Sequence, residues 1–417
     1  MLTEGKHREG EIRSARGLTQ PCAEFEIEVG LLTGGMDRHY AFGLATALIS
    51  KGVHLDFIGS DEVDGPELHG TSKVNFLNLR GKQRPDGSLV SKISRVLVYY
   101  IRLISYAAMA RPKVFHILWN GKLEFFDRTL LMLYYKLLGK EVALTAHNVN
   151  AGTRDSTDTL LNRLTLKIQY RLADHIFVHT EKMKSELLEE FGVRKAAVTV
   201  IPYGINNAVP DTELTPDKAK QQLGIRSGER TLLFFGNIAP YKGLDCLIAA
   251  FQRIIAPCEH YRLIIAGRPK KGCEKYWNEI QQVIRRDVPP GRIIQKIGFI
   301  PDGEIELYFK AADALVVPYR HIFQSGVLFL GYSFGLPAIA ADVGLLREEI
   351  IEGKTGFVCR PEDPVDLAKT IERYFSSDLY RSLNGWRREI REYVTERHSW
   401  DAVGQMTRSV YAELLEN

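Results

Sequence analysis

The chain has 417 residues, 45% apolar and 25% charged, with a formal net charge of +4. That length supports two or three domains with cores of their own, and the composition is that of a globular chain rather than a disordered or fibrous one. So small a charge excess does not by itself imply a nucleic-acid partner, and none is expected. Five scattered cysteines (Cys22, Cys246, Cys258, Cys273, Cys359) form no CxxC pair, which argues against a disulfide framework or zinc site and for a reducing compartment.

In chain order, the first twenty residues are polar and lack the apolar core of a signal peptide. Residues 1–22 are therefore expected to be a disordered or irregular leader. Short β-like runs follow at 25–32, 53–59, 74–79, 114–118, 142–147, 175–180 and 198–202, with amphipathic stretches between them. Ala41, Leu44, Ala45 and Leu48 keep helical spacing, for example. The most apolar window, 95–110, is interrupted by Arg102 and is too short to span a bilayer. "YGINNAVPDTELTPDK" (203–218) is rich in turn formers and reads as an interdomain linker. The pattern then repeats at 231–236, 262–267, 292–297, 314–318, 338–341 and 356–359, before a helical tail.

Strands alternating with helices predict an α/β fold with parallel sheets, and two similar blocks predict two Rossmann-like domains. A ligand is expected between them, at the C-terminal ends of the strands. The boundaries are set at 23–205 for the first domain and 206–385 for the second. Residues 386–417 form helices that cap the second domain or cross back to the first.

Two stretches suggest anion binding. In "LLFFGNIAPYKGLDCLIAAF" (232–251), Gly236 ends a strand, and Lys242 and Gly243 open a helix. A cation beside the positive end of a helix dipole is unfavourable unless an anion joins it. By spacing alone, a solvated loop lysine explains Lys242 equally well. In the second stretch, Gln324, Ser325, Gly326 and Val327 start an almost wholly apolar helix with Ser325 as N-cap. A buried helix start needs partners for its N–H groups, either a ligand or a structural cap.

These residues carry a family resemblance. "FFGNIAPYKGLDCLIAAF", "GFIPDGEIELYFKAADALVVPY" and "FGLPAIAADVGLLREEIIEGKTGF" resemble the donor domain of GT-B glycosyltransferases of the large retaining group that includes sucrose synthases and bacterial polysaccharide transferases. "GLLTGGMDRHYAFGLATALISKGV", "ALTAHNVN" and "VTVIPYGIN" resemble that group's N-terminal half. The resemblance implies a GT-B fold: two doubly wound domains facing each other across a cleft. It implies a nucleotide-diphosphate sugar as co-substrate, with no cofactor and no metal. Lys242 would stabilise the leaving diphosphate with the N–H groups of Ser325, Gly326 and Val327, beside Gly236, Asn237 and Gly243. His147 would face the reacting sugar, although a hydrogen-bonded histidine at a strand end is the plainer reading of its position. Gly34, Gly35, Asp37, His39 and Asn148 would lie on the acceptor side.

The chain departs from the pattern. Two glutamates usual around the diphosphate-binding helix fall at Ile322 and Leu330, and an arginine usual before the lysine is Asn237. Gln324 is a substitute contact for sugar hydroxyls, and Arg268, Arg320 or His321 for the missing cation. His175 and His179 read as structural, and Glu348 and Glu349 receive no role.

The function implied is metal-independent, retaining transfer of a sugar to a glycan or lipid-linked glycan in the cytoplasm. A nucleotide-sugar epimerase on the same fold and a non-catalytic sugar-binding scaffold are the alternatives. Basic and aromatic residues mixed at helical spacing in 91–113 fit either peripheral contact with the inner face of a membrane or ordinary packing on the sheet.

Overall fold

The computed structural model describes residues 26–34, 38–82, 89–154, 158–205, 209–322 and 325–416. The expected leader 1–22 and the candidate residues Gly35, Asp37 and Gln324 lie outside them.

The first half forms a seven-stranded parallel sheet of β1 (Glu28–Leu32), β2 (His54–Gly59), β3 (Val74–Asn78), β4 (Val114–Ile117), β5 (Glu141–Thr145), β6 (His175–Val178) and β7 (Val198–Val200). Its order is β3-β2-β1-β4-β5-β6-β7. The second half forms a six-stranded sheet of β8 (Arg230–Phe235), β9 (Tyr261–Gly267), β10 (Ile293–Ile297), β11 (Ala314–Val317), β12 (Ala338–Ala341) and β13 (Gly356–Cys359). Its order is β10-β9-β8-β11-β12-β13, also parallel throughout. Central strands such as β4 and β11 are buried at every position, as a sheet covered by helices on both faces requires.

The helices that matter for the site are α1 (Arg38–Ser50), α2 (Leu89–Met109), the continuous helical run 124–137 (α3), α4 (Leu160–Leu172), α5 (Leu244–Ile255), α6 (Asp302–Ala311), α7 (Gly326–Ser333), α8 (Leu383–Arg397) and α9 (Trp400–Glu416). Helix α3 contains a π-helical turn at Asp127–Leu131. α5 is held by one apolar face of Leu244, Leu247, Ile248 and Phe251, each nearly or fully buried. At about 1.5–3 kcal/mol per such side chain, that face outweighs any local propensity.

The chain crosses between the domains twice, and the crossings are tied together. The backbone N–H of Ile205 donates to His398 O (3.1 Å), and Trp400 Nε1 donates to Ile205 O (2.7 Å). The Trp400 indole fits against Gly43 and Gly204, where a methyl group at either position would overlap the ring. His398 contacts Tyr203 O (2.9 Å) and Glu349 Oε2 (3.2 Å), so Glu349 sits at the hinge. α8 stays on the second domain through Ile390 and Val394, while α9 packs along α1 with Val403, Val410 and Tyr411 in the core of the first.

Candidate active site

β8 delivers Gly236 and Asn237 to the cleft, and a short 3₁₀ turn, Pro240–Lys242, brings Lys242 there. Lys242 is buried, with only 6% of its surface exposed, and its Nζ stands 3.8 Å from the centroid of the Tyr319 ring. The sequence left open a solvated loop lysine; the structure places the ammonium inside the fold, over an aromatic face that tolerates a cation. Gly243 caps α5 at φ 66°, and a methyl group there would overlap the carbonyl oxygen of Pro318. Only glycine suits both conditions.

The same Pro318–Arg320 segment ties this turn to the second anion-binding element. Arg320 N donates to Tyr241 O (2.8 Å), and the Tyr319 hydroxyl lies 3.4 Å from Ser325 Oγ. Ser325 is buried and caps α7 by accepting from Leu328 N (3.4 Å). Gly326 and Val327 follow as the first two helical residues, whose N–H groups have no acceptor within the helix.

Two adjoining cavities lie between the domains. One, of about 280 Å³, is lined by Lys242, Ser325, Gly326 and Val327 from the second domain and by His39, Tyr40 and Tyr203 from the first and the crossover. The other, of about 350 Å³, runs past Gly236, Asn237, Lys242 and Val327 to Arg268 and Phe299. Ile322 lines the first and Leu330 both, so the positions where the resemblance expected carboxylates present apolar walls. Of the cations offered in place of the one lost at Asn237, Arg268 reaches the cavity, whereas Arg320 is held by Asp245 (2.6 Å) and Glu362 (3.1 Å). A larger cleft of about 540 Å³ lies at the opposite, N-terminal edge of β1–β3, where Tyr106 and Asn75 already bond Asp56.

On the first-domain wall, His39 lines both cavities and reaches across to Asp302 at the start of α6 (3.3 Å), with Arg38 3.8 Å from the same carboxylate. Gly34 packs against Trp119, leaving no room for a side chain, and so shapes the wall rather than meeting the cavity directly. Asn148 follows β5 and is half-buried, but it lines neither cavity.

His147 also stands elsewhere than expected. It sits behind Tyr40 (ring centroids 4.6 Å apart) and stacks on Trp119 (4.4 Å, 9° between planes), lining neither cavity. Aromatic packing accounts for this placement, since stacking on Trp119 covers one face of the ring. Its Nδ1 is 3.0 Å from Nε2 of His179, and its Nε2 is buried with no hydrogen-bond partner. Burial lowers His147 well below the ordinary imidazole range and His179 to about 4, so both rings are neutral at pH 7. His179 Nδ1 faces Ile201 O (3.3 Å), which can only accept, so that nitrogen carries the proton. His179 Nε2 then accepts from His147 Nδ1–H, and His147 Nε2 is left as a bare acceptor for a hydroxyl donor. His179 therefore orients His147. The signal lay in the register: Thr145 pairs with Phe177, so residues 147 and 179 end adjacent strands at the same level. His175 contacts Thr199 Oγ1 (2.9 Å) and takes no part.

Two parallel Rossmann-like sheets, a double crossover and a cation–helix pair at the cleft define a GT-B architecture. Solved structures share it over nearly the whole chain: sucrose-phosphate synthase from Thermosynechococcus elongatus superposes with a TM-score of 0.74 at 18% identity, covering 94% of this chain and 100% of that one. Anabaena HepE in complex with UDP-glucose gives 0.69 at 16%, covering 93% and 99%. Residues 33–209 match the model of Glycosyltransferase Family 4 and residues 229–377 that of Glycosyl transferases group 1. The chain belongs to the group 1 glycosyltransferases. Its relatives include the D-inositol 3-phosphate glycosyltransferase of Corynebacterium aurimucosum, 24% identical over 275 residues (64% of this chain, 63% of that protein). The glycogen synthase of Mycobacterium tuberculosis is 28% identical over 242 residues (58% and 54%). The matched stretch thus spans less than two thirds of these curated relatives' length.

Proposed function

We propose that this protein transfers a glycosyl group from a nucleoside diphosphate sugar to a hydroxyl of a glycan or lipid-linked glycan, with retention of configuration and with Lys242 in place of a metal ion. The observation that carries this reading is the convergence of a buried ammonium, Lys242, and the start of α7 on one interdomain cavity. A diphosphate there meets the Lys242 charge and the N–H groups of Gly326 and Val327. As the bond from sugar C1 to the phosphate oxygen breaks, its electron pair leaves with the diphosphate. The cation and the helix start offset that charge without reorganising. The acceptor oxygen bonds C1 on the same face, and its proton passes to the departing phosphate oxygen. Arg268 and Phe299 flank the far end of the larger cavity, where a nucleobase would lie. HepE with UDP-glucose and Arabidopsis starch synthase IV with ADP, both of this fold, support a donor of that kind. The reading places the enzyme in the cytoplasm, and a lipid-linked acceptor would draw it to the inner face of the membrane.

The test is thermal stabilisation by a panel of nucleoside diphosphates and their sugars, on the wild type and on Lys242→Ala. A ligand at 100 times its Kd adds about 2.7 kcal/mol, a shift of several degrees. The wild type should show this for at least one compound, and the variant should lose it. Acceptor screening with that donor, and the anomer of the product by NMR, then test transfer and retention. No stabilisation by any compound at millimolar concentration would defeat the reading.

A further inference from the structure

The exposed large apolar side chains among the described residues concentrate on the first domain, away from the cleft contacts described above. Among the described residues, fifteen of the nineteen large hydrophobic side chains that are exposed fall between Val90 and Leu164. They form three neighbouring stripes. On α2 the stripe is Val90, Ile93, Leu97 and Ile101, exposed by 77, 52, 55 and 64%, with the helical spacing of one face. On α3 it is Leu130, Leu133 and Leu137, preceded by Leu123 and Phe125. On α4 it is Leu160, Leu161 and Leu164. The helices lie side by side: the Tyr134 hydroxyl on α3 donates to Ile104 O on α2 (3.2 Å), and Arg128 on α3 donates to Asn162 on α4 (2.8 Å). Their other faces, with Tyr100, Leu103, Met132 and Leu166, pack on the sheet, so the outward leucines are not needed for that core.

The charge around these stripes is mostly positive. α2 has no acidic residue and carries Lys92, Arg95 and Arg102. At its N-terminal end, Arg80, Lys92, Arg95 and Lys122 surround a notch over Tyr99 and Tyr100, with the Arg80 guanidinium 4.3 Å from the Tyr99 ring. The nearby acids have partners or are buried: Glu124 pairs with Arg128 (2.6 Å), Asp158 pairs with Arg163 (2.6 Å), and Asp127 is buried beneath the surface.

We infer that this three-helix face docks on the surface of an anionic lipid bilayer, the leucine and isoleucine stripes entering the headgroup–acyl boundary and the cations of the notch meeting lipid phosphates. Apolar area bordered by cations suits that boundary. A second copy of the chain suits it less, because a two-fold contact would set the same cations against one another, and lysine is depleted at protein interfaces. Among the described residues, no helix is long and apolar enough to cross a membrane, so the contact is peripheral. α2, α3 and α4 each begin at the edge of the sheet where the strands end and the cleft opens, which sets the lipid surface beside the first-domain wall of the cleft.

The full chain is sedimented with vesicles of phosphatidylcholine alone or mixed with phosphatidylglycerol. The inference requires at least tenfold stronger partitioning to the anionic vesicles, reduced by salt. Lys92→Glu/Arg95→Glu/Lys122→Glu should lose about tenfold or more of it. Leu97→Ser/Ile101→Ser/Leu130→Ser should lose binding even at low salt; circular dichroism and melting curves establish that both variants fold. A wild type that stays in the supernatant with both vesicle types overturns the inference. So does equal binding to neutral vesicles, or a vesicle-free dimer that the serine variant dissociates.

Discussion

His179 Nε2 lies 3.0 Å from His147 Nδ1, and the direction of the proton between them is set on the far side, at the carbonyl of Ile201. The consequence is a bare nitrogen, His147 Nε2, buried behind Tyr40, a residue that lines the smaller cavity. If that acceptor positions a sugar hydroxyl, His147→Ala and His179→Ala should each lower kcat by roughly tenfold, and the double variant should lose little more than either. The coupling energy expected in the double-mutant cycle is about 1 kcal/mol or more. Additive losses would separate the two residues.

Burial lowers His179 and His175 to about 4 and His116 to about 3, against 6.5 for a free imidazole. Between those values the unfolded chain takes up protons that the folded chain refuses. The stability from keeping these rings neutral is therefore complete above pH 6.5 and declines as the pH falls toward the folded values of 3 to 4. One such group contributes a slope of up to about 1.4 kcal/mol per pH unit. Urea unfolding between pH 7 and 4 should show that decline, and His116→Gln should flatten it by up to that amount. An unchanged slope would assign the acid sensitivity to other groups.

Gly243 combines φ 66° with contact against Pro318 O. Gly243→Ala should cost on the order of 2–4 kcal/mol and displace Lys242, so donor binding falls with stability. Gly303, in α6 with open space around it, is the control. Gly303→Ala should be neutral or raise stability by about 0.5–1 kcal/mol. Melting curves of the two variants decide it, and equal effects would dismiss the close contact at Gly243.

Asp302 reaches His39 and Arg38 across the cleft, with side chains 24 to 40% exposed. Pairs this open to solvent contribute less than about 1 kcal/mol. Asp302→Ala should therefore loosen domain closure modestly, raising the donor KM about two- to fivefold with kcat nearly unchanged. Small-angle scattering would show a more open average shape. A kcat loss of tenfold or more would instead place Asp302 in the chemistry.

Much of the architecture was legible from residue order alone. Alternating strand and helix patterns specify two parallel sheets because a strand buried on both faces reads as a nearly continuous apolar run, as at 314–318 and, His116 excepted, at 114–118. The Lys242–Gly243 turn and the Ser325 cap were legible for the same local reason: glycine at a positive φ and serine at a helix start are requirements of the backbone at that point.

What the linear order does not contain is which distant segments share a level or a face. His147 meets His179 because β5 and β6 are adjacent and in register, a contact that the spacing of the two residues in the chain does not reveal. Trp400 lies far along the chain from Gly43, yet the indole occupies the space that glycine leaves, and this sends α9 back to the first domain. The apolar face of α2, α3 and α4 draws on segments from Val90 to Leu164, and periodicity alone cannot tell their outward leucines from their inward ones. Sequence determined the elements and their local turns, because those rest on near neighbours in the chain. Burial, tautomer and exposed surface were decided by the tertiary structure, because each depends on groups brought together only by packing.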